Sequence, residues 1–264
     1  MTEPQHEVAL TPDEVEKILR ECGPGTLLVG GQALAFWAAF YDVEPVGVLT
    51  KAITSDADFI GTAADARKLG AALKWTVWLP SMDDATAQTA KVTKLSPAGG
   101  VKQVDYLSAI AGLDTAKVQA RAVEVTLPSG VTIRVLHPLD VLESRLRNIQ
   151  LLSSKRSAVS VGQAELAIRV AAQFIASLLE PGADERQALN AIARVAAIAQ
   201  DRQLVGVAVD YALDPLMAVP LARIANPEFH AKRWPQIVAR VEALRQQHAK
   251  RTAVRKARRP GSRT

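Results

Sequence analysis

Leu28-Val29-Gly30-Gly31-Gln32-Ala33-Leu34 and Thr54-Ser55-Asp56-Ala57-Asp58-Phe59-Ile60-Gly61 are the two stretches that decide the fold. The first follows Gly23-Pro24-Gly25 as a short β-type run, Thr26 to Val29, then a glycine turn, then a largely apolar helix from about Gln32 to Tyr41. In the second, Ile53 to Ile60 reads as a strand. Its period-two alternation puts Asp56 and Asp58 on one face and Ala57 and Phe59 on the other. Ahead of both, Thr11-Pro12-Asp13-Glu14 combines an N-cap hydroxyl, a proline at the first helical position and a glutamate three residues after the cap. A helix is expected to start there.

Working outward, a loop fills Asp42 to Lys51. Ala63 to Leu73 suits a helix and Trp75 to Leu79 a strand. Gln88 to Leu95 and Val101 to Leu107 read as strands joined by the breaker-rich Ser96-Pro97-Ala98-Gly99-Gly100. Asp105 falls inside the second of these, where a charge is least expected. Val123 to Leu127 and Val131 to Leu136 flank Pro128-Ser129-Gly130 as a hairpin. Helical periodicity then takes over at Leu139 to Gln150, Gln163 to Leu179, Asp184 to Ala199 and Arg233 to Ala249. The expected class is α+β, a mixed sheet with flanking helices followed by a helical bundle. The domains are 1–136 and 137–249, with 250–264 a basic, flexible tail.

The chain has 264 residues, 48% apolar, 22% charged and 5% aromatic, which is enough for a packed core and outside the disordered class. Its longest apolar run, Ala33 to Tyr41, is nine residues, and a bilayer needs roughly 20. With no basic segment leading into an apolar one at the N-terminus, the expected location is cytoplasmic, without a membrane. The net charge of +5 sits at the end. Seven basic residues and no acidic ones lie between Lys250 and Thr264, leaving 25 basic against 27 acidic residues before them. Such a tail attracts phosphates or simply keeps a protein in solution. Cys22, the one cysteine, is expected as a small core residue, and Trp37, Trp75 and Trp78 as core. Asp65 and Asp83-Asp84 suit helix starts or loops, and His137 ends a strand. Arg145 and Arg147 either reach a triphosphate or form a solvated helix face.

Three carboxylates converging from two strands, Asp56, Asp58 and Asp105, form a cluster that oxygen-preferring divalent ions neutralise. A metal pair orients an attacking oxygen and stabilises a leaving pyrophosphate. Gly30-Gly31 removes the Cβ from a phosphate's path, and the following helix offers N–H groups. These parts suit nucleotidyl transfer.

Strand, Gly-Gly turn, helix, Asp-x-Asp strand and a later single Asp in Val104-Asp105-Tyr106-Leu107 resemble the motif order of the DNA polymerase beta-like nucleotidyltransferase superfamily. The similarity is greatest to its AbiEii-type branch, which includes toxins of toxin–antitoxin and phage-defence systems. Leu136-His137-Pro138-Leu139-Asp140-Val141-Leu142-Glu143-Ser144-Arg145-Leu146 looks like the segment that opens the branch's helical half. The resemblance implies a fold of this type and a Mg²⁺- or Mn²⁺-dependent transfer of an NMP from an NTP to a hydroxyl of RNA, such as a tRNA 3′ end, or of protein, with an antitoxin as partner. It implies Asp56 and Asp58 as metal ligands, Asp105 as a metal ligand or general base, and Gly30, Gly31, Lys51, Ser55 and Arg145 as nucleotide contacts. The chain departs from the branch in a longer stretch between Gly31 and Asp56, in Ala52 where a basic residue is common, and in Gln163-Ala164-Glu165 where an Arg-Asp pair is usual. Two other readings accompany this one. A catalytically silent member would serve as a nucleotide-binding or regulatory module, and an aminoglycoside-type transferase would need an acidic patch that the helical half lacks.

Overall fold

A computed structural model describes residues 6–49, 54–81, 83–84, 86–97 and 99–258. The chain divides into two compact units, Met1–Arg145 and Leu146–Thr264, and the division falls inside a helix, Pro138–Leu151, not at residue 136.

The first unit is built on a seven-stranded mixed sheet. In chain order it comprises α1 (Pro12–Glu21), β1 (Leu27–Val29), α2 (Gly30–Phe40), β2 (Ala57–Ile60), α3 (Ala63–Leu73), β3 (Thr76–Trp78), β4 (Gln88–Leu95), β5 (Val101–Leu107), α4 (Thr115–Arg121), β6 (Val123–Thr126), β7 (Thr132–Val135) and, through Arg145, the first part of α5 (Pro138–Leu151). The strand order is β3-β4-β5-β2-β1-β7-β6. β2 runs parallel to β5 and antiparallel to β1, while β1 runs parallel to β7.

Local chemistry explains the helix starts. At α1, the Thr11 hydroxyl accepts from Glu14 N and the Glu14 carboxylate accepts from Thr11 N at 2.9 Å, a reciprocal cap. Thr62 and Asp65 repeat the device at α3, so Asp65 is a cap. At α5 the cap is a histidine. His137 Nδ1 accepts from Leu139 N at 3.1 Å. α4, which no pattern predicts, starts at Asp114. It presents Arg121 to the fully buried Asp140 of α5 through two hydrogen bonds of 2.7 and 3.1 Å.

One sheet face is apolar. Ala57, Phe59, Val92, Val104 and Tyr106 are all 2% exposed or less, and the Phe59 and Tyr106 rings stack with centroids 5.8 Å apart. α3 packs against β3 and β4 on this side, where Gly70 leaves no room for a Cβ against the Val77 methyl. Burial alone would raise the Glu14 carboxyl on α1, but Lys102 of β5, 2.6 Å away, holds it below its usual value. Cys22 belongs to this layer. Burial pushes its thiol up to about 12, against the opposing hydrogen bonds of Tyr106 and Thr26.

Trp37 is core as expected, 2% exposed, its indole N–H bonded to Leu136 O at 2.7 Å. Trp75 is half-buried beside Lys94. Trp78 is not core. It lies on the edge strand β3 and is 43% exposed.

The second unit is helical: α6 (Ala158–Ser177), α7 (Glu185–Ala199), α8 (Leu204–Asp210) and α9 (Trp234–Arg258). Alanine-rich stripes such as Ala164, Ala167 and Ala171 on α6 and Ala188, Val195 and Ala196 on α7 form its core. A π-helical turn, Phe229–Arg233, leads into α9. The segment expected to be a flexible tail is helical through Arg258, and its last six residues lie outside the described residues. No single described helix is long and apolar enough to cross a membrane.

Candidate metal centre

The parallel pairing of β2 with β5 sets Asp58 opposite Asp105, and Asp56 projects from the bend just before β2. One carboxylate oxygen from each of Asp56, Asp58 and Asp105 lies within 4.8 Å of the others. The three residues singled out in the sequence therefore form one cluster, and such a set of hard oxygens could hold a metal ion.

Each acid is held by different neighbours. The Thr54 hydroxyl donates to Asp56 Oδ1 at 2.5 Å. Asp105, 7% exposed, takes a side-chain amide on each oxygen, Gln88 Nε2 on Oδ1 and Gln103 Nε2 on Oδ2, both at 2.7 Å. Lys91 Nζ stands 3.9 Å from Oδ1. Burial raises the Asp105 carboxyl above its usual range. Lys91 and the Gln103 hydrogen bond oppose that rise, while Asp56 and Glu7 add to it. A divalent cation in the cluster would remove the repulsive part of this balance.

Arg145 supplies positive charge. Burial lowers its pKa, and the charges of Asp58 and Asp56 act in the opposite sense. Arg147 goes elsewhere: it bonds Asp201 at 2.5 Å and Gln203 at 3.2 Å within the second unit. Burial would raise Asp201, but that guanidinium and the N–H groups of Gln203 and Leu204 hold it below its usual range.

The glycine pair has a local cause. Gly30 has φ +66°, and a Cβ there would overlap the Asp58 carboxylate. A Cβ on Gly31 would stand 2.5 Å from Thr54 Cβ. The turn is thus glycine because the acid-bearing segment packs directly onto it, which brings the N-terminus of α2 against Asp58. Ser55 is turned toward the N-terminal segment, its hydroxyl donating to Glu7 Oε2 at 3.2 Å. Lys51 lies outside the described residues.

Sequence reasoning missed Gln88, Lys91, Gln103 and Glu7. Gln103 and Lys91 had a signal. Gln103 shares a strand face with Asp105, and the Leu95–Val101 pairing at the hairpin turn carries Lys91 to the position opposite Asp105.

No protein-family model matches the chain, and no curated protein matches it. Among solved structures, the crystal structure of JHP933 from Helicobacter pylori aligns with 94% of this chain and 99% of its own at 12% identity, with a TM-score of 0.36.

Proposed function

We propose that the chain is a nucleotidyltransferase that moves an NMP from an NTP to an acceptor hydroxyl, with Mg²⁺ or Mn²⁺ as cofactor. The observation that carries this reading is the meeting of Asp56, Asp58 and Asp105 within 4.8 Å, beside a left-handed Gly30 at the start of an 11-residue helix. A bound divalent ion would polarise the α-phosphate and offset the charge of the leaving pyrophosphate. Asp56 and Asp58 would hold it together with Asp105. Arg145, whose charged form the two aspartates favour, would offset phosphate charge.

In the transfer, the acceptor oxygen bonds to the α-phosphorus and the bond from that phosphorus to the bridging oxygen breaks. Pyrophosphate leaves, and the hydroxyl proton passes to Asp105.

The test is thermal stability of the purified protein with Mg²⁺ or Mn²⁺ and each NTP in turn, because a ligand bound by the folded state stabilises it by mass action. A rise in Tm that needs metal and nucleotide together, and that Asp56→Ala/Asp58→Ala abolishes, is expected. No rise with any NTP at millimolar concentration would contradict the reading and favour a silent member of the fold. The toxin role is tested separately: induced expression arrests growth, and Asp58→Ala relieves the arrest.

A further inference from the structure

Trp78 is a large apolar side chain, 43% exposed, on the edge strand. Its register places it in a row. Trp78 pairs with Lys91, Lys91 with Asp105 and Asp105 with Asp58, and directly paired residues share a face of a sheet. Val77, next along β3, points to the opposite face against Gly70. The row thus runs across three strand spacings, roughly 14 Å at the usual separation, from an open indole through an ammonium group to the carboxylate cluster. Beside it on the same face lies a cavity of about 480 Å³ lined by Glu7, Thr76, Lys91, Thr93 and Gln103 together with the apolar Leu95 and Val101.

Each part of this row has a counterpart in a nucleic-acid strand. An exposed indole is a platform for any nucleobase, because every base has a π-face. An ammonium one position nearer the acids pairs with a backbone phosphate, and the terminal hydroxyl then falls at Asp105. Glu7, which also lines the cavity, repels a phosphate that strays from Lys91. A protein acceptor would have little use for an aromatic surface followed by a single cation.

We propose that Trp78 and Lys91 form an acceptor subsite for the end of a single-stranded nucleic acid, with a base stacked on Trp78 and its neighbouring phosphate at Lys91. This rests on the nucleotidyltransferase reading for the role of Asp105. The binding subsite itself does not. It is tested by fluorescence anisotropy of a short labelled single-stranded RNA, with the matching DNA and an RNA duplex alongside, on wild type, Trp78→Ala, Trp78→Phe and Lys91→Ala. Trp78→Ala is expected to weaken single-strand binding about tenfold, with Trp78→Phe restoring most of it. Lys91→Ala is expected to lower the dependence of log affinity on log salt by about one unit. The NTP-dependent rise in Tm is expected to survive Trp78→Ala.

Absence of RNA and DNA binding by the wild type, or equal binding by Trp78→Ala, overturns the subsite, and a retained NTP response then leaves the transferase reading standing. Single-strand binding that needs Trp78 in a protein that no NTP stabilises supports the subsite and overturns the transferase reading instead.

Discussion

The two faces of β2 and β5 are made by the same alternating residues and behave as different materials. On one, Ala57, Phe59, Val104 and Tyr106 are sealed from water. On the other, one residue along each strand, Asp58 and Asp105 stand together with Gln103 and Lys91 around them. A period-two backbone lets a protein place a rigid hydrophobic support directly behind a cluster of like charges, so the support holds the repelling groups in place. Stability and chemistry should therefore separate by face.

The largest expected effect belongs to the covered face. Phe59→Ala removes a stacked, fully packed ring and should cost about 3–5 kcal/mol in denaturant unfolding. A cost below ~1 kcal/mol would mean the face is not the support described. Gly30→Ala comes next and links the faces. A left-handed residue that gains a Cβ costs ~1–2 kcal/mol, and here the Cβ must also displace Asp58, so both stability and any metal-dependent rise in Tm should fall.

On the open face the sign should reverse. Asp105→Asn removes a carboxylate whose charged form burial disfavours, so the metal-free variant should melt higher than wild type at neutral pH while losing its response to metal. Because the folded-state pKa is raised, the wild type's deficit should be absent at acid pH and grow as pH rises through the carboxylate range. The effect that is smallest at neutral pH concerns Cys22. With its thiol pushed from 9.0 to about 12, the folded state holds a proton that the unfolded state gives up. Wild type should match Cys22→Ala in its pH dependence below pH 9 and lose stability relative to it between 9 and 12. Slow native-state alkylation at pH 8 would accompany this.

How much of this was legible in the sequence follows the same division. The alternation in Asp56-Ala57-Asp58-Phe59 and the bounds of α3, β4 and β5 were readable because local period and breakers fix them. The three acids could be singled out because charges interrupt strand patterns. Their neighbours were harder to see: Gln88 and Lys91 reach Asp105 only through cross-strand register. Trp78 looks like core in a strand pattern and becomes an exposed edge residue only once the strand order is known. His137 was legible as a strand end, but its capping bond depends on the chain reversing into α5. α4 and α8, at seven residues each, are too short for periodicity to declare.

Asp56, Asp58 and Asp105 are expected to bind a divalent cation together. Titration of Mn²⁺ into the purified protein, followed by electron paramagnetic resonance of the free ion, tests it without reference to nucleotide or acceptor. Saturable depletion of the free-ion signal by wild type, competed by Mg²⁺ and lost in Asp56→Ala/Asp58→Ala, is the predicted result. Equal depletion by wild type and variant, or none by either, would contradict it.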